Sequence, residues 1–367
     1  MKICFFAGAN SSHSHRWIKY FAAKGHEIHW ISLSPSVEPP CVNYFYDIGP
    51  LSRNPIKIFF QMLAFRKLLS KISPDILHIH SVGTYGLIGI SSGFHPLVVT
   101  AWGSDVLFSI KSIVRRPLVS YVLKMADVIT CDAKHMKSAI VELGAGETKI
   151  RLIHFGVEPN VFAPNKKNGQ ILESWGVKDE AVIISLRNLE PIYDVKTLIS
   201  AMPYVLKHRP GVRFIVGGTG SQVEDLRNLS VKLNVADNVG FIGRYSHESL
   251  PDYLNSSDIY VSTSLSDAGI AASTAEAMAC ALPVIVTDSG ENKDWVTDMR
   301  EGFVVPVGDP VALAEKILVL LNNETLRKAC GKNARDRILL ENDYFREMFK
   351  MNELYSSLMG RECHYQS

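Results

Sequence analysis

Short apolar runs, each closed by glycine, proline or polar residues, alternate along the chain with longer stretches of helical spacing. That alternation predicts parallel sheets built from strand, helix, strand units. The runs fall into two sets. The first comprises Ile3–Ala7, Glu27–Leu33, Ile76–His80, Leu97–Thr100, Val128–Cys131 and Ile150–Ile153. The second comprises Ala181–Leu186, Arg213–Gly217, Val239–Ile242, Ile259–Ser262, Val284–Val286 and Gly302–Val305. Between them Gly156–Gly169 (GVEPNVFAPNKKNG) is rich in proline, asparagine and glycine, which favours a connector and hinge. Two Rossmann-like domains are therefore expected, over residues 1–163 and 164–345. A final helical segment, 346–367, follows. Helical spacing of Phe345, Met348, Phe349 and Leu354 lets it close the second domain or cross back to the first.

Composition narrows the class. At 367 residues the chain exceeds one ordinary core, in line with two domains. A net charge of +2 gives no reason to expect a nucleic-acid partner, so any electrostatic site must be local. Cys4, Cys41, Cys131, Cys280, Cys330 and Cys363 are scattered without a CxxC pair or metal-ligand spacing, which fits a reducing cytoplasm. Met1–Ala9 (MKICFFAGA) imitates a short leader, but its apolar run is brief, and it reads as a buried first strand. No window approaches the ~20 apolar residues of a bilayer span, so membrane contact would be peripheral.

In doubly wound sheets the ligand sits beyond the carboxyl ends of the strands, so the loops there carry the chemistry. Gly8–Trp17 (GANSSHSHRW) has one glycine. Gly218, Thr219 and Gly220 are followed by Val223 where a dinucleotide fingerprint requires its last glycine, and no P-loop exists. The most informative segment is Ser262–Val286 (STSLSDAGIAASTAEAMACALPVIV). A strand ends there, a loop with Asp267 and Gly269 follows, and a small-residue helix begins. Its amino end would suit a diphosphate, and Glu276, one turn inside, could accept hydrogen bonds from ribose hydroxyls. Alternatively, Ser273 and Glu276 form only a capping box.

Glu276–Val284 (EAMACALPV) closely resembles the donor-site motif of glycosyltransferase family four, retaining enzymes of the GT-B fold. Further pieces follow in that family's order: His13–Ser32, PDILHIH at Pro74–His80, VVTAWGSDVL at Val98–Leu107, IHFGVEPNVFAP at Ile153–Pro164, the Arg187 loop, FIVGGTG at Phe214–Gly220, and Phe241–Ser264. The resemblance spans nearly the whole chain. It implies an α/β protein of GT-B architecture, two Rossmann-like domains with parallel sheets facing a central cleft, the first for the acceptor and the second for the donor. It also implies a nucleotide diphosphate sugar as donor, a UDP-sugar being favoured with a GDP-sugar as alternative, and neither cofactor nor metal. The absence of a D-x-D triplet agrees with a metal-free site.

On that resemblance Arg187, Asp267 and Glu276 are the catalytic candidates. Gly217, Gly218, Gly220, Arg244, Gly269, Ile270, Ala271 and Thr274 join Glu276 in binding the donor. Gly8, His13, Arg16, His80, Trp102 and Asp105 face the acceptor, whereas His78 faces helix packing. Departures touch the mechanism. Where the family commonly carries a first glutamate this chain has Ala268, beside Asp267; Tyr193 stands near the usual lysine, with Lys196 close by; and Trp102 replaces a histidine.

Pro55–Ile72 (PIKIFFQMLAFRKLLSKI) is broadly apolar with a polar stripe at Lys57, Gln61, Lys67 and Lys71 and Arg66 beside it; Lys111, Arg115 and Arg116 form a second basic cluster. Two readings stand: a basic helix resting on anionic lipid at the inner face of the cytoplasmic membrane, or a core helix with a solvated lysine face. The acceptor expected is a saccharide or lipid-linked saccharide, as in surface polysaccharide or glycoconjugate assembly. The rival functions are a sugar-nucleotide epimerase of the same architecture and a catalytically degenerate nucleotide-binding partner, the latter allowed by Ala268 and Tyr193.

Overall fold

The computed structural model describes residues 1–35, 42–52, 54–110, 112–267 and 269–360. Cys41, Lys111, Ala268 and Cys363 lie outside the described residues. The chain forms two compact units, one from residues 1–155 with the segment beginning at Phe345, the other from Gly156–Tyr344.

In the first unit the strands are β1 (Lys2–Phe6), β2 (Glu27–Ser32), β3 (Tyr44–Asp47), β4 (Ile76–His80), β5 (Leu97–Thr100), β6 (Val128–Cys131) and β7 (Ile150–Leu152). They pair in parallel in the order β3-β2-β1-β4-β5-β6-β7. The helices are α1 (Ser12–Ala23), α2 (Pro55–Ile72), α3 (Thr84–Ile90), α4 (Ser104–Ile110), α5 (Arg115–Met125) and α6 (Lys134–Glu142). Phe5 and Phe6 are fully buried and β1 pairs on both sides, with β2 and β4, so the first apolar run is an inner strand. The sequence pattern had no strand at β3. Its YFYD segment sits at the sheet edge, with only half-buried and exposed positions and no apolar alternation to read.

The second unit holds β8 (Val182–Leu186), β9 (Arg213–Gly217), β10 (Val239–Gly243), β11 (Ile259–Ser262), β12 (Val284–Thr287) and β13 (Gly302–Val305), again parallel, in the order β10-β9-β8-β11-β12-β13. Its helices are α7 (Gly169–Ser174), α8 (Val195–Leu206), α9 (Val223–Lys232), α10 (Leu250–Asn255), α11 (Ala272–Ala279), α12 (Asn292–Trp295), α13 (Pro310–Asn322) and α14 (Glu324–Glu341). Two apolar clusters cover its sheet. One includes Ile184, Tyr260 and Met278, the other Ile183, Phe214 and Leu313. Alternate residues of one strand thus face opposite layers, as a doubly covered sheet requires.

The last helix, α15 (Tyr344–Leu358), packs into the first unit with Met348, Met351 and Tyr355 buried, while Phe345 points outward at 45% exposure. The Tyr355 hydroxyl lies 2.5 Å from Nδ1 of buried His78, and Thr100 Oγ1 lies 2.6 Å from its Nε2. Where the chain enters and leaves the second unit, the Val157 NH donates to Asn342 O at 2.8 Å and the Tyr344 NH to Val157 O at 3.0 Å. Among the described residues no helix is long and apolar enough to cross a membrane.

Strand order reverses beside β1 in the first sheet and beside β8 in the second. A crevice opens at such a reversal, outside the carboxyl ends of β1 and β4 in one unit and of β8 and β11 in the other.

Candidate active site

Arg187 follows β8 and Asp267 follows β11, one from each strand flanking the reversal of the second sheet. The Arg187 loop is fastened to the loop after β9. The Leu189 NH donates to Thr219 O and the Gln222 NH to Leu189 O, both at 2.9 Å, and Glu190 accepts from the Ser221 NH and hydroxyl at 2.8 and 2.6 Å. A Cβ on Gly218, at φ +130°, would fall 2.1 Å from Arg187 O, and one on Gly220 2.2 Å from Leu189 O. Gly217 is tight too, its Cβ position 2.6 Å from Leu186. These glycines were expected to line the nucleotide. The protein's own packing already demands them, because no side chain fits between the two loops.

The Arg187 guanidinium donates through Nη2 to Asp267 Oδ1 at 2.5 Å, with the two side chains 9% and 7% exposed. Its other face lies 4.5 Å from the centre of the Tyr193 ring. Tyr193, the departure from the family's lysine, therefore orients the arginine by a cation–π contact instead of adding a second cation. Lys196 is exposed on α8. Asp267 Oδ2 is buried with no hydrogen-bond partner among the described residues, leaving an acceptor in place for an incoming donor group. Gly290 packs directly on the Asp267 carbonyl, where a Cβ would come within 1.9 Å.

The capping-box alternative does not hold. Helix α11 begins at Ala272, so Ser273 is inside it; the N-cap is Ala271, and among the described residues no side chain caps the helix. The Ser273 hydroxyl instead pairs with the buried Tyr260 hydroxyl at 2.7 Å. Glu276 is nearly buried, its Oε1 3.7 Å from Nε2 of exposed His247. Burial raises the Tyr245 phenol pKa, with Tyr260 and Glu276 adding to the rise and Arg187 opposing it, so Glu276 and Arg187 act on one neighbourhood. Gly269, Ile270 and Thr274 are buried, Ala271 is half-buried, and Arg244 is exposed on the loop after β10. His247 carried no assignment from the sequence. Its only signal was its position in the stretch Phe241–Ser264. Among the described residues no group of three His, Cys, Asp or Glu could hold a metal ion.

In the first unit the carboxyl ends of β1 and β4 border a cavity of about 280 Å³ lined by Gly8, Ser14, His80, Ser81, Tyr85 and Trp102, among others. His80 Nδ1 lies 3.0 Å from Ser14 Oγ, and its buried Nε2 has no partner among the described residues. The half-buried His13 ring stacks on both Phe155 and Trp102, with centroids 4.6 and 5.5 Å away, and those two rings stack on each other at 5.3 Å; burial and then the Arg16 charge lower the His13 pKa. Asp105 was expected to face the acceptor, but its carboxylate is engaged. Oδ2 accepts from the Val82 NH at 2.9 Å and Oδ1 from the Trp102 NH at 3.1 Å. Burial raises its pKa, and these bonds partly offset the rise. It holds the loop that carries Trp102.

Burial pushes the His80 pKa down to about 3, and that of His78 in the same direction. An unfolded histidine titrates near ~6.5. Below that pH the unfolded chain binds protons that the folded chain refuses, so stability falls as pH falls, for His80 until about 3. His80→Gln is expected to give a shallower decline of Tm between pH 7 and 5 than the parent, measured by thermal melts. Parallel slopes would show that His80 is not neutral in the folded chain.

Residues 169–337 match the family described as glycosyl transferases group 1, and residues 2–133 the glycosyl transferase 4-like family. Between them the two matches cover most of the chain and, with the fold, support a group 1 glycosyltransferase of GT-B architecture. It is 26% identical, over 83% of its length and 81% of the relative's, to the UDP-Gal:alpha-D-GlcNAc-diphosphoundecaprenol alpha-1,3-galactosyltransferase of Escherichia coli. It is 22% identical, over 87% and 86%, to the N-acetyl-alpha-D-glucosaminyl L-malate synthase of Bacillus anthracis. Anabaena HepE, solved in complex with UDP, shares the fold at a TM-score of 0.83 with 17% identity, over 97% of this chain and all of that one.

Proposed function

We propose that the protein moves a sugar from a nucleotide diphosphate donor, favoured as a UDP-sugar, to a saccharide or lipid-linked saccharide acceptor, with retention of configuration and without a metal. One observation carries this reading: Arg187, fixed by Asp267 and Tyr193, is tied through Asp267 to the loop that leads into α11, whose amino end no side chain caps among the described residues. That pairing suits a pyrophosphate, since helix-end NH groups and a guanidinium stabilise developing negative charge. The UDP preference follows from the UDP-galactose and UDP named for a relative and a structural neighbour; a GDP-sugar is the alternative, as another relative is named for GDP-mannose.

In this scheme the second unit binds the donor and the first the acceptor. The bond between the anomeric carbon and the diphosphate oxygen breaks as the acceptor oxygen bonds to the same face of that carbon. The acceptor's proton passes to the departing diphosphate. No protein nucleophile is needed. Arg187 and the α11 amino end hold the diphosphate, Glu276 the ribose hydroxyls, and Asp267 Oδ2 with the Gly269 and Ile270 backbone the donor sugar. The lipid-linked acceptor would place the protein at the inner face of the cytoplasmic membrane, in surface polysaccharide or glycoconjugate assembly.

A thermal-shift panel of UDP- and GDP-sugars tests the donor, because a ligand that binds only the folded state raises Tm by mass action. Hydrogen bonds to a charged group contribute about 1.5–3 kcal/mol, so Glu276→Ala is expected to raise the donor Kd about 10- to 100-fold. An unchanged shift would remove Glu276 from the ribose. Transfer should persist in excess chelator, and its loss with rescue by a divalent ion would overturn metal independence.

A further inference from the structure

Helix α2 has two apolar faces, and the structure covers one. Phe65, Leu69 and Ile72 are buried, and so is Gln61, whose Nε2 donates to Pro50 O at 2.9 Å. Gln61 therefore does not belong to the solvated stripe read from the sequence. On the opposite side Ile56, Phe59, Phe60 and Leu63, at helical spacing i, i+3, i+4 and i+7, remain between 45% and 67% exposed. Lys57, Arg66, Lys67 and Lys71 are exposed around and beyond them, and α2 carries no carboxylate.

A second exposed apolar element lies on the same side of the sheet. Helix α3 packs against both α2 and α5. The turn before α5 exposes Ile113 at 94% and Val114 at 74%, followed by exposed Arg115. Helix α2 leads from the carboxyl end of β3 to the amino end of β4, and α5, reached from β5 through α4, runs back to end just before the amino end of β6. The starts of α2 and α5 therefore both lie at the carboxyl edge, the edge that holds the His80 cavity. Leu51, just before α2, is 58% exposed.

We propose that this edge docks on an anionic lipid bilayer, with Ile56, Phe59, Phe60 and Leu63 entering the headgroup boundary and the α2 cations meeting acidic headgroups. An exposed apolar stripe in water is unfavourable, and neutral covering would not call for a helix whose charges are all positive. The lipid-linked acceptor proposed above gives the docking its purpose, since the cavity at the same edge would then open near the membrane surface; the binding itself needs only the surface.

Sedimentation of the full chain with vesicles, without donor, tests this. Vesicles of phosphatidylcholine with a quarter phosphatidylglycerol are expected to carry the protein down, pure phosphatidylcholine at least tenfold less, and high salt is expected to release it. Phe59→Ser with Phe60→Ser, and separately Lys57→Glu with Lys67→Glu, should each lower the bound fraction at least tenfold. Tm and the donor-induced thermal shift should stay at parental values. Equal recovery in the supernatant with both vesicle types would overturn the docking. So would a dimer, seen by light scattering, that the phenylalanine pair dissociates while no vesicle binds, since a second copy would then cover the face. Failure of the donor panel with intact vesicle binding would instead overturn the donor reading alone.

Discussion

Arg187→Ala is expected to lower kcat about 100- to 1000-fold, the usual effect of removing one preorganised group that stabilises developing charge. The same change leaves the Asp267 carboxylate, 7% exposed, without its partner at Oδ1, and Oδ2 already has none. Breaking such a pair from one side costs about 3–5 kcal/mol, so the single variant should also melt earlier. Pairing Arg187→Ala with Asp267→Asn separates the two effects. Removing the stranded charge should restore much of the Tm and none of the turnover. Recovery of kcat in the double variant, measured with a donor found by thermal shift, would mean that Arg187 serves the fold and not the diphosphate. Arg187→Lys should also stay impaired, because an ammonium cannot reproduce the planar guanidinium laid against the Tyr193 ring 4.5 Å away.

Gly218→Ala is expected to damage the same site without touching a charged group. The added Cβ would stand 2.1 Å from the Arg187 carbonyl oxygen, and φ of +130° is itself unfavourable for any residue with a Cβ. Overpacking and backbone strain together cost roughly 2–5 kcal/mol. Relief requires the Arg187 loop to move, so turnover should fall along with Tm. Gly169→Ala is the control. Nothing lies within 4 Å of its Cβ position, and it opens α7, where alanine fits. A Gly218→Ala variant with parental Tm and kcat would show that the two loops separate freely.

Much of the fold was legible in the chain because strands and helices write their own periods. The runs Ile76–His80, Leu97–Thr100, Val128–Cys131, Arg213–Gly217, Ile259–Ser262 and Gly302–Val305 coincide with β4, β5, β6, β9, β11 and β13. Buried parallel strands are continuously apolar, and their breakers sit immediately outside. Edge strand β3 lacks that signature. The position of the candidate residues along the chain was also local information, since Arg187 and Asp267 each follow a recognisable strand.

What local pattern could not carry is who meets whom. Arg187 and Asp267 are 80 positions apart, and their contact exists because β8 and β11 are neighbours in the sheet. Tyr193 appeared as a lost lysine until its ring was found against that guanidinium. Ser273 fitted a capping box by spacing, yet a helix that starts at Ala272 turns the hydroxyl to Tyr260. On α2 the ambiguity was intrinsic. A helix apolar on two sides records that both dislike water, and only packing against the rest of the first unit selects Phe65 and Leu69 for the core and leaves Phe59 and Phe60 outside. Period and propensity are properties of neighbouring residues along the chain, whereas charge pairing, orientation and exposure depend on elements that the fold brings together from distant parts of it.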